Sequence, residues 1–148
     1  MNSHDVNRIT GPVVVRGGGD LATGTVHALS GAGYSVIVLE CGNPTAIRRE
    51  AAFCEAVRFK KKTVEGITCV KVSSAEEALM KAAPGQPVLL VDERCESLAV
   101  LKPQVLIDAV IAKRNTGISM EMADLTIALG PGFTAGKEIG RASCRERV

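Results

Sequence analysis

The chain has 148 residues, is 46% hydrophobic but only 3% aromatic, and carries a formal net charge of +2. That length and apolar content suit one domain with a core of Val, Ile, Leu and Ala. So few rings exclude the stacking platforms of a single-strand nucleic-acid binder. No apolar run reaches about 18 residues, so no membrane span is expected. Residues 1–10 lack the apolar core of a signal peptide.

The first element is an apolar strand over 13–16. It runs into Gly17-Gly18-Gly19-Asp20-Leu21-Ala22-Thr23-Gly24. The spacing G-x-G-x-x-[G/A] is that of a phosphate-binding turn between a strand and a helix. Gly17 permits a turn with positive φ. Gly18 leaves no Cβ between backbone and pyrophosphate, and Ala22 lets the helix pack close. The unpaired N–H groups of the first helical turn then face the phosphates. Asp20 is expected as N-cap. Arg16 either holds a phosphate or carboxylate or pairs with a nearby acid. The helix is expected over 20–30, with Leu21, Thr25, Ala28 and Ala32 as its buried stripe, and it ends at Gly31-Ala32-Gly33. His27 lies within it, surface or packed. With His4 the only other histidine, no metal site is expected.

A second strand over 35–40 closes on Glu40, about twenty residues past the glycines, where an acid accepts the hydroxyls of a ribose and disfavours a 2′-phosphate. Cys41 beside it is the thiol nearest a ligand. The five cysteines contain no C-x-x-C pair and read as reduced thiols. Asn43 and Pro44 start another helix, with Ile47, Ala51, Cys54 and Val57 on one side. Arg48 and Arg49 in its first turns either clamp phosphates or lie on a solvated face.

Residues 59–72 alternate around Glu65-Gly66 as a hairpin. Lys60-Lys61-Lys62 there reads as a solvated loop or edge strand rather than a nucleic-acid patch. Ser74 and Glu77 form a capping box for a helix to about residue 83, ended by Pro84-Gly85. Strands follow over 88–91, tipped by Asp92, then over 105–107, and last over 125–129. Asp108 pairs with Lys113 or orients a ligand. Lys113-Arg114-Asn115 follow a strand end, where open α/β sheets bind ligands. Gly130-Pro131-Gly132-Phe133-Thr134-Ala135-Gly136 is either a second ligand loop, with Thr134 its hydroxyl, or a plain turn. The alternation predicts an α/β fold: a Rossmann-like open, mainly parallel sheet with helices on both faces. The expected domain is 1–137, truncated on its C-terminal side. Residues 138–148 continue no pattern and look like translated adapter read-through, a non-native tail.

Four segments together resemble the accessory-protein family of selenium-dependent molybdenum hydroxylase systems. They are residues 14–24, Pro44-Thr45-Ala46-Ile47-Arg48-Arg49, residues 108–115 and residues 130–136. Asp92-Glu93-Arg94-Cys95 departs from the Asp-Pro-type turn of that family, so the resemblance lends Cys95 no role. It implies a cytoplasmic maturation factor that serves a molybdenum hydroxylase or its cofactor-assembly proteins. It also implies a molybdopterin dinucleotide as the cofactor, beside the NAD-like dinucleotide that Glu40 favours; neither a nucleic-acid nor a membrane partner is expected. The cofactor would meet Arg16, Gly17, Gly18, Gly19, Asp20, Leu21, Ala22, Thr23, Glu40, Arg48, Arg49, Lys113, Arg114, Asn115, Gly130, Gly132 and Thr134. No nucleophile, paired-carboxylate or metal constellation is apparent, and whether the chain is an enzyme stays open. The alternatives are an NAD-dependent oxidoreductase and a scaffold with a vestigial pocket.

Overall fold

The computed structural model describes residues 11–42, 52–109, 125–129 and 141–143. Its centre is one sheet in the order β3-β4-β5-β2-β1-β6-β7-β8. The strands are β1 (Val13–Arg16), β2 (Val36–Glu40), β3 (Lys61–Val64), β4 (Ile67–Val72), β5 (Val88–Val91), β6 (Val105–Asp108), β7 (Leu125–Leu129) and β8 (Arg141–Ser143). Every pairing is parallel except β3 with β4. β1 lies between β2, the next strand in the chain, and β6. The chain thus winds outward one way, returns to the middle, and winds out the other way, as in a doubly wound fold.

The central strands are buried on both faces, so they read as continuous apolar runs. Val13, Val15, Val36, Val38, Leu89 and Ile107 face one way, beneath Ala22 and Val26 of α1 (Asp20–Gly31) and beneath Phe53 and Ala56. Val14, Ile37, Leu39, Leu90 and Leu106 face the other way. There they meet Ala75 and Ala78 of α3 (Ala75–Lys81), and Leu98 and Leu101 of α4 (Leu98–Leu101). Each fully buried aliphatic side chain is worth about 1.5–3 kcal/mol in transfer free energy. Helices therefore cover both faces, as the alternation requires.

Local signals explain the edges. Glu65 (φ 46°) and Gly66 (φ 83°) form the two-residue turn joining β3 to β4, the backbone sign that suits right-twisted hairpins. Ser74 Oγ accepts from Glu77 N–H at 3.1 Å. The return bond goes to Ser73 N–H rather than to that of Ser74 (3.3 Å). α3 stops at Lys81 because Ala82 is extended, two residues short of the expected end.

Four expectations are corrected. Asp20 is not the N-cap of α1; Gly19 is, and Asp20 is already helical. The buried stripe of α1 is Ala22, Val26 and Ser30, with Leu21, Ala28 and Ala32 exposed, because close approach to the sheet requires the smaller side chain at the first contact. A helix running from Asn43 through Val57 is interrupted: Ala52 is extended (φ −124°, ψ 123°), then comes a 3-10 turn at Phe53–Glu55 and the short α2 (Ala56–Phe59). Finally, residues 141–143, expected to form no element, extend the sheet as β8, parallel to β7.

Candidate functional site

The candidate site lies at the C-terminal ends of β1, β2, β5 and β6; α1 follows β1 onto one face of the sheet and α4 follows β5 onto the other. Strand alternation divides the site into two flanks. Glu40 projects on the face of Val38, towards α1, whereas Arg16 and Asp108 project on the face of Val14 and Leu106, towards α4.

On the α1 flank, Gly17 has φ 99°, as expected of the tight turn, and its N–H bonds Leu39 C=O at 2.7 Å. The Glu40 carboxylate turns into the loop. Oε2 accepts from Gly18 N–H at 2.7 Å, and Oε1 accepts from Cys41 N–H at 2.9 Å. The acid is therefore fixed at both oxygens beside the glycines, while each oxygen keeps a lone pair for a further donor. Two of the loop amides are consequently used by the protein itself.

Gly18 owes its missing side chain to the chain rather than to a ligand. A Cβ there would lie 3.0 Å from Cys54 N and 3.2 Å from Cys54 Cα. Its carbonyl accepts from Cys54 N–H (2.8 Å) and from Thr23 Oγ1 (3.2 Å). Thr23 Oγ1 in turn accepts from Phe53 N–H (2.9 Å). Thr23, expected to meet cofactor, is buried and stitches residues 53–54 to the loop. Gly19 differs. A Cβ there meets nothing within 4 Å, and its backbone (φ −73°, ψ −168°) is open to any residue. No side chain caps α1, and no described residue supplies an acceptor for the N–H groups of Gly19, Leu21 and Ala22. The open, donor-rich side of the loop is thus at Gly19 and the first turn of α1.

On the α4 flank, Arg16 and Asp108 are register partners on neighbouring strands. Arg16 Nη1 lies 3.3 Å from Asp108 Oδ2, with the Asp108 side chain wholly buried. Of the two readings for Arg16, pairing with an acid is the one found. Asp108 is paired with Arg16; Lys113, its expected partner, lies outside the described residues. Asp92 at the tip of β5 accepts from Glu96 N–H (3.0 Å), Ser97 N–H (2.8 Å) and Ser97 Oγ. It thereby holds the turn into α4, an element without a sequence signal. Cys95 lies in that turn, buried and left-handed (φ 58°). Burial pushes its thiol up to about 11; Asp92 and Asp108 push the same way and Arg16 opposes. It is a neutral packed thiol, not a nucleophile. Cys69 is likewise held at about 12 by burial.

Arg16, Gly17, Gly18, Gly19, Leu21, Ala22, Thr23 and Glu40 lie at or beside the C-terminal ends of β1 and β2, with Asp20 in the first turn of α1. Leu21 is exposed and Ala22 packs against the sheet. Arg48, Arg49, Lys113, Arg114, Asn115, Gly130, Gly132 and Thr134 lie outside the described residues. Among the described residues, no group of three or more His, Cys, Asp or Glu side chains is placed to hold a metal ion. None of their helices is long and apolar enough to cross a membrane. Sequence reasoning missed the Arg16–Asp108 pair. The signal was present: both residues follow three apolar residues at the end of a central strand.

No family model matches the chain. No solved structure matches it either. It is similar to the uncharacterized protein YqeB of Escherichia coli (strain K12), with 47% identity over 126 residues, which make up 85% of this chain and 23% of that protein. The chain therefore spans less than a quarter of the length of that curated relative.

Proposed function

We propose that this domain is the nucleotide-binding part of a cytoplasmic maturation factor for a selenium-dependent molybdenum hydroxylase, and that it holds a nucleotide-bearing cofactor without redox chemistry of its own. The observation that carries the binding reading is Glu40, its carboxylate fixed by Gly18 N–H and Cys41 N–H at the mouth of the glycine loop. Ribose hydroxyls donate to its remaining lone pairs. The phosphate lies over Gly19, where no side chain intrudes and the first-turn amides of α1 are uncapped. The same carboxylate repels a 2′-phosphate, which favours an NAD-like or molybdopterin dinucleotide. The maturation role rests on the resemblance of residues 14–24, 44–49, 108–115 and 130–136 to the accessory-protein family. Arg48, Arg49, Lys113, Arg114, Asn115, Gly130, Gly132 and Thr134 would complete the grip.

Calorimetry of the chain against NAD, CTP and a molybdopterin dinucleotide tests this reading. One of them is expected to bind saturably, and Gly19→Val to weaken it by at least about tenfold without loss of fold. Absence of saturable binding by all three overturns the nucleotide reading. Sustained oxidation of NADH with added acceptors replaces it with an oxidoreductase.

A further inference from the structure

Arg58, Lys60, Lys61 and Lys62, four of the chain's 18 basic residues, fall within five consecutive positions. Arg58 lies in α2, Lys60 caps its C-terminus, and Lys61 and Lys62 open β3, the terminal strand of the sheet. Lys60 turns the chain out of α2 in a left-handed conformation (φ 67°). Lys61 and Lys62 stand opposite Val70 and Cys69 of β4 rather than opposite acids. Lys60, Lys61 and Lys62 form no ion pair with any described residue. Among these cations sits Phe59, 69% exposed in a chain with one Tyr, three Phe and no Trp.

Lysines along an edge strand ordinarily discourage pairing with other chains. They do not explain an aromatic ring left in water beside them. A large apolar anchor with a cationic rim is instead the arrangement of an interaction hot spot. β3 is the terminal strand of the sheet, and no strand among the described residues pairs with its outer side.

We propose that β3 and Phe59 form a docking edge for an acidic, extended protein segment. The segment adds as a strand beside Lys61–Val64, its carboxylates against Lys60, Lys61 and Lys62 and an apolar side chain on Phe59. A single ring offers no run of platforms for successive bases, so a protein segment is favoured over single-stranded nucleic acid. This inference is independent of the nucleotide reading.

The probe is a fluorescent peptide of repeating Glu-Glu-Val-Val, which as a strand carries carboxylates on both faces, titrated into the chain beside a single-stranded oligonucleotide of equal charge. The peptide is expected to bind saturably and more weakly as salt is raised. The double variant Lys61→Glu, Lys62→Glu and the single variant Phe59→Ser should each weaken it by at least about tenfold. All three side chains lie at the sheet's edge, and a thermal melt confirms that each variant folds. New protection of the Lys61 and Thr63 amides, which face away from β4, from hydrogen exchange on peptide addition places the strand. Tighter binding of the oligonucleotide, no peptide binding, or peptide binding indifferent to these variants overturns the proposal.

Discussion

The two flanks of the candidate site are built from different materials. On the α1 flank, nearly every polar contact is backbone to one short side chain: Glu40 to two amides, Thr23 to Gly18 and Phe53. On the α4 flank, an ion pair between two strands and an aspartate-held turn do the same task. Amide contacts to Glu40 leave its other lone pairs available. The ion pair consumes its own charge. The α1 flank is therefore suited to receive a ligand and the α4 flank to hold the sheet together. That division assigns Arg16, read from sequence as a phosphate or acid partner, to the holding side.

The largest test of this division is Arg16→Ala. It leaves the wholly buried Asp108 without its partner on β1, a change expected to cost about 3 kcal/mol in urea unfolding. A loss under about 1 kcal/mol would make the α4 flank dispensable and reverse the assignment. Next comes the pair of adjacent glycines. Gly18→Ala drives a Cβ against Cys54 backbone and should cost about 2 kcal/mol. Gly19→Ala meets nothing and should fall within about 0.5 kcal/mol. Equal losses would erase the distinction between a packing glycine and a ligand glycine. Thr23→Val removes a hydroxyl that serves Gly18 and Phe53, with an expected cost of about 1.5 kcal/mol and faster hydrogen exchange at Phe53.

The smallest effect is on pH. The folded thiols of Cys69 and Cys95 lie at about 12 and about 11, above the ordinary value of 9.0. Being raised in the folded state, each contributes stability that is complete below about pH 9. That contribution is lost as pH climbs towards the folded value. Tm should fall between about pH 8 and about pH 10. The fall should be reduced in Cys69→Ala relative to its own neutral-pH Tm. An unchanged slope in that variant would place the loss elsewhere.

Features carried by a few neighbouring residues were legible in the sequence. The strand Val13–Arg16, the turn at Glu65-Gly66 and the cap at Ser74 need only local sterics and local hydrogen bonds, and each is found where its signal lies. The glycine spacing and Glu40 likewise marked the strand-to-helix turn and the tip of β2, which meet through Gly18 N–H and Glu40 Oε2. What escaped depends on contacts from afar. Nothing near Gly18 says that Cys54 will press against it, and nothing near Ala52 says that the chain must straighten to deliver Phe53 to Thr23. The α1 stripe was misread by one position because Leu21 is the more hydrophobic residue, whereas the sheet accepts the smaller Ala22. Turn-to-helix residues 92–101 carry no periodic run at all; Asp92 organises them through its two oxygens.

The seam between β1 and β6 joins residues 92 positions apart in the chain. Closing so long a loop is costly in entropy and is rewarded only when the whole interval has been made. During synthesis, β1, α1, β2 and the Glu65 hairpin can therefore condense while the middle of the sheet still has a bare edge. Apolar Val13, Val14 and Val15 then wait for Val105, Leu106 and Ile107 to emerge. That interval is the period in which a nascent chain of this kind is most exposed to intermolecular strand exchange.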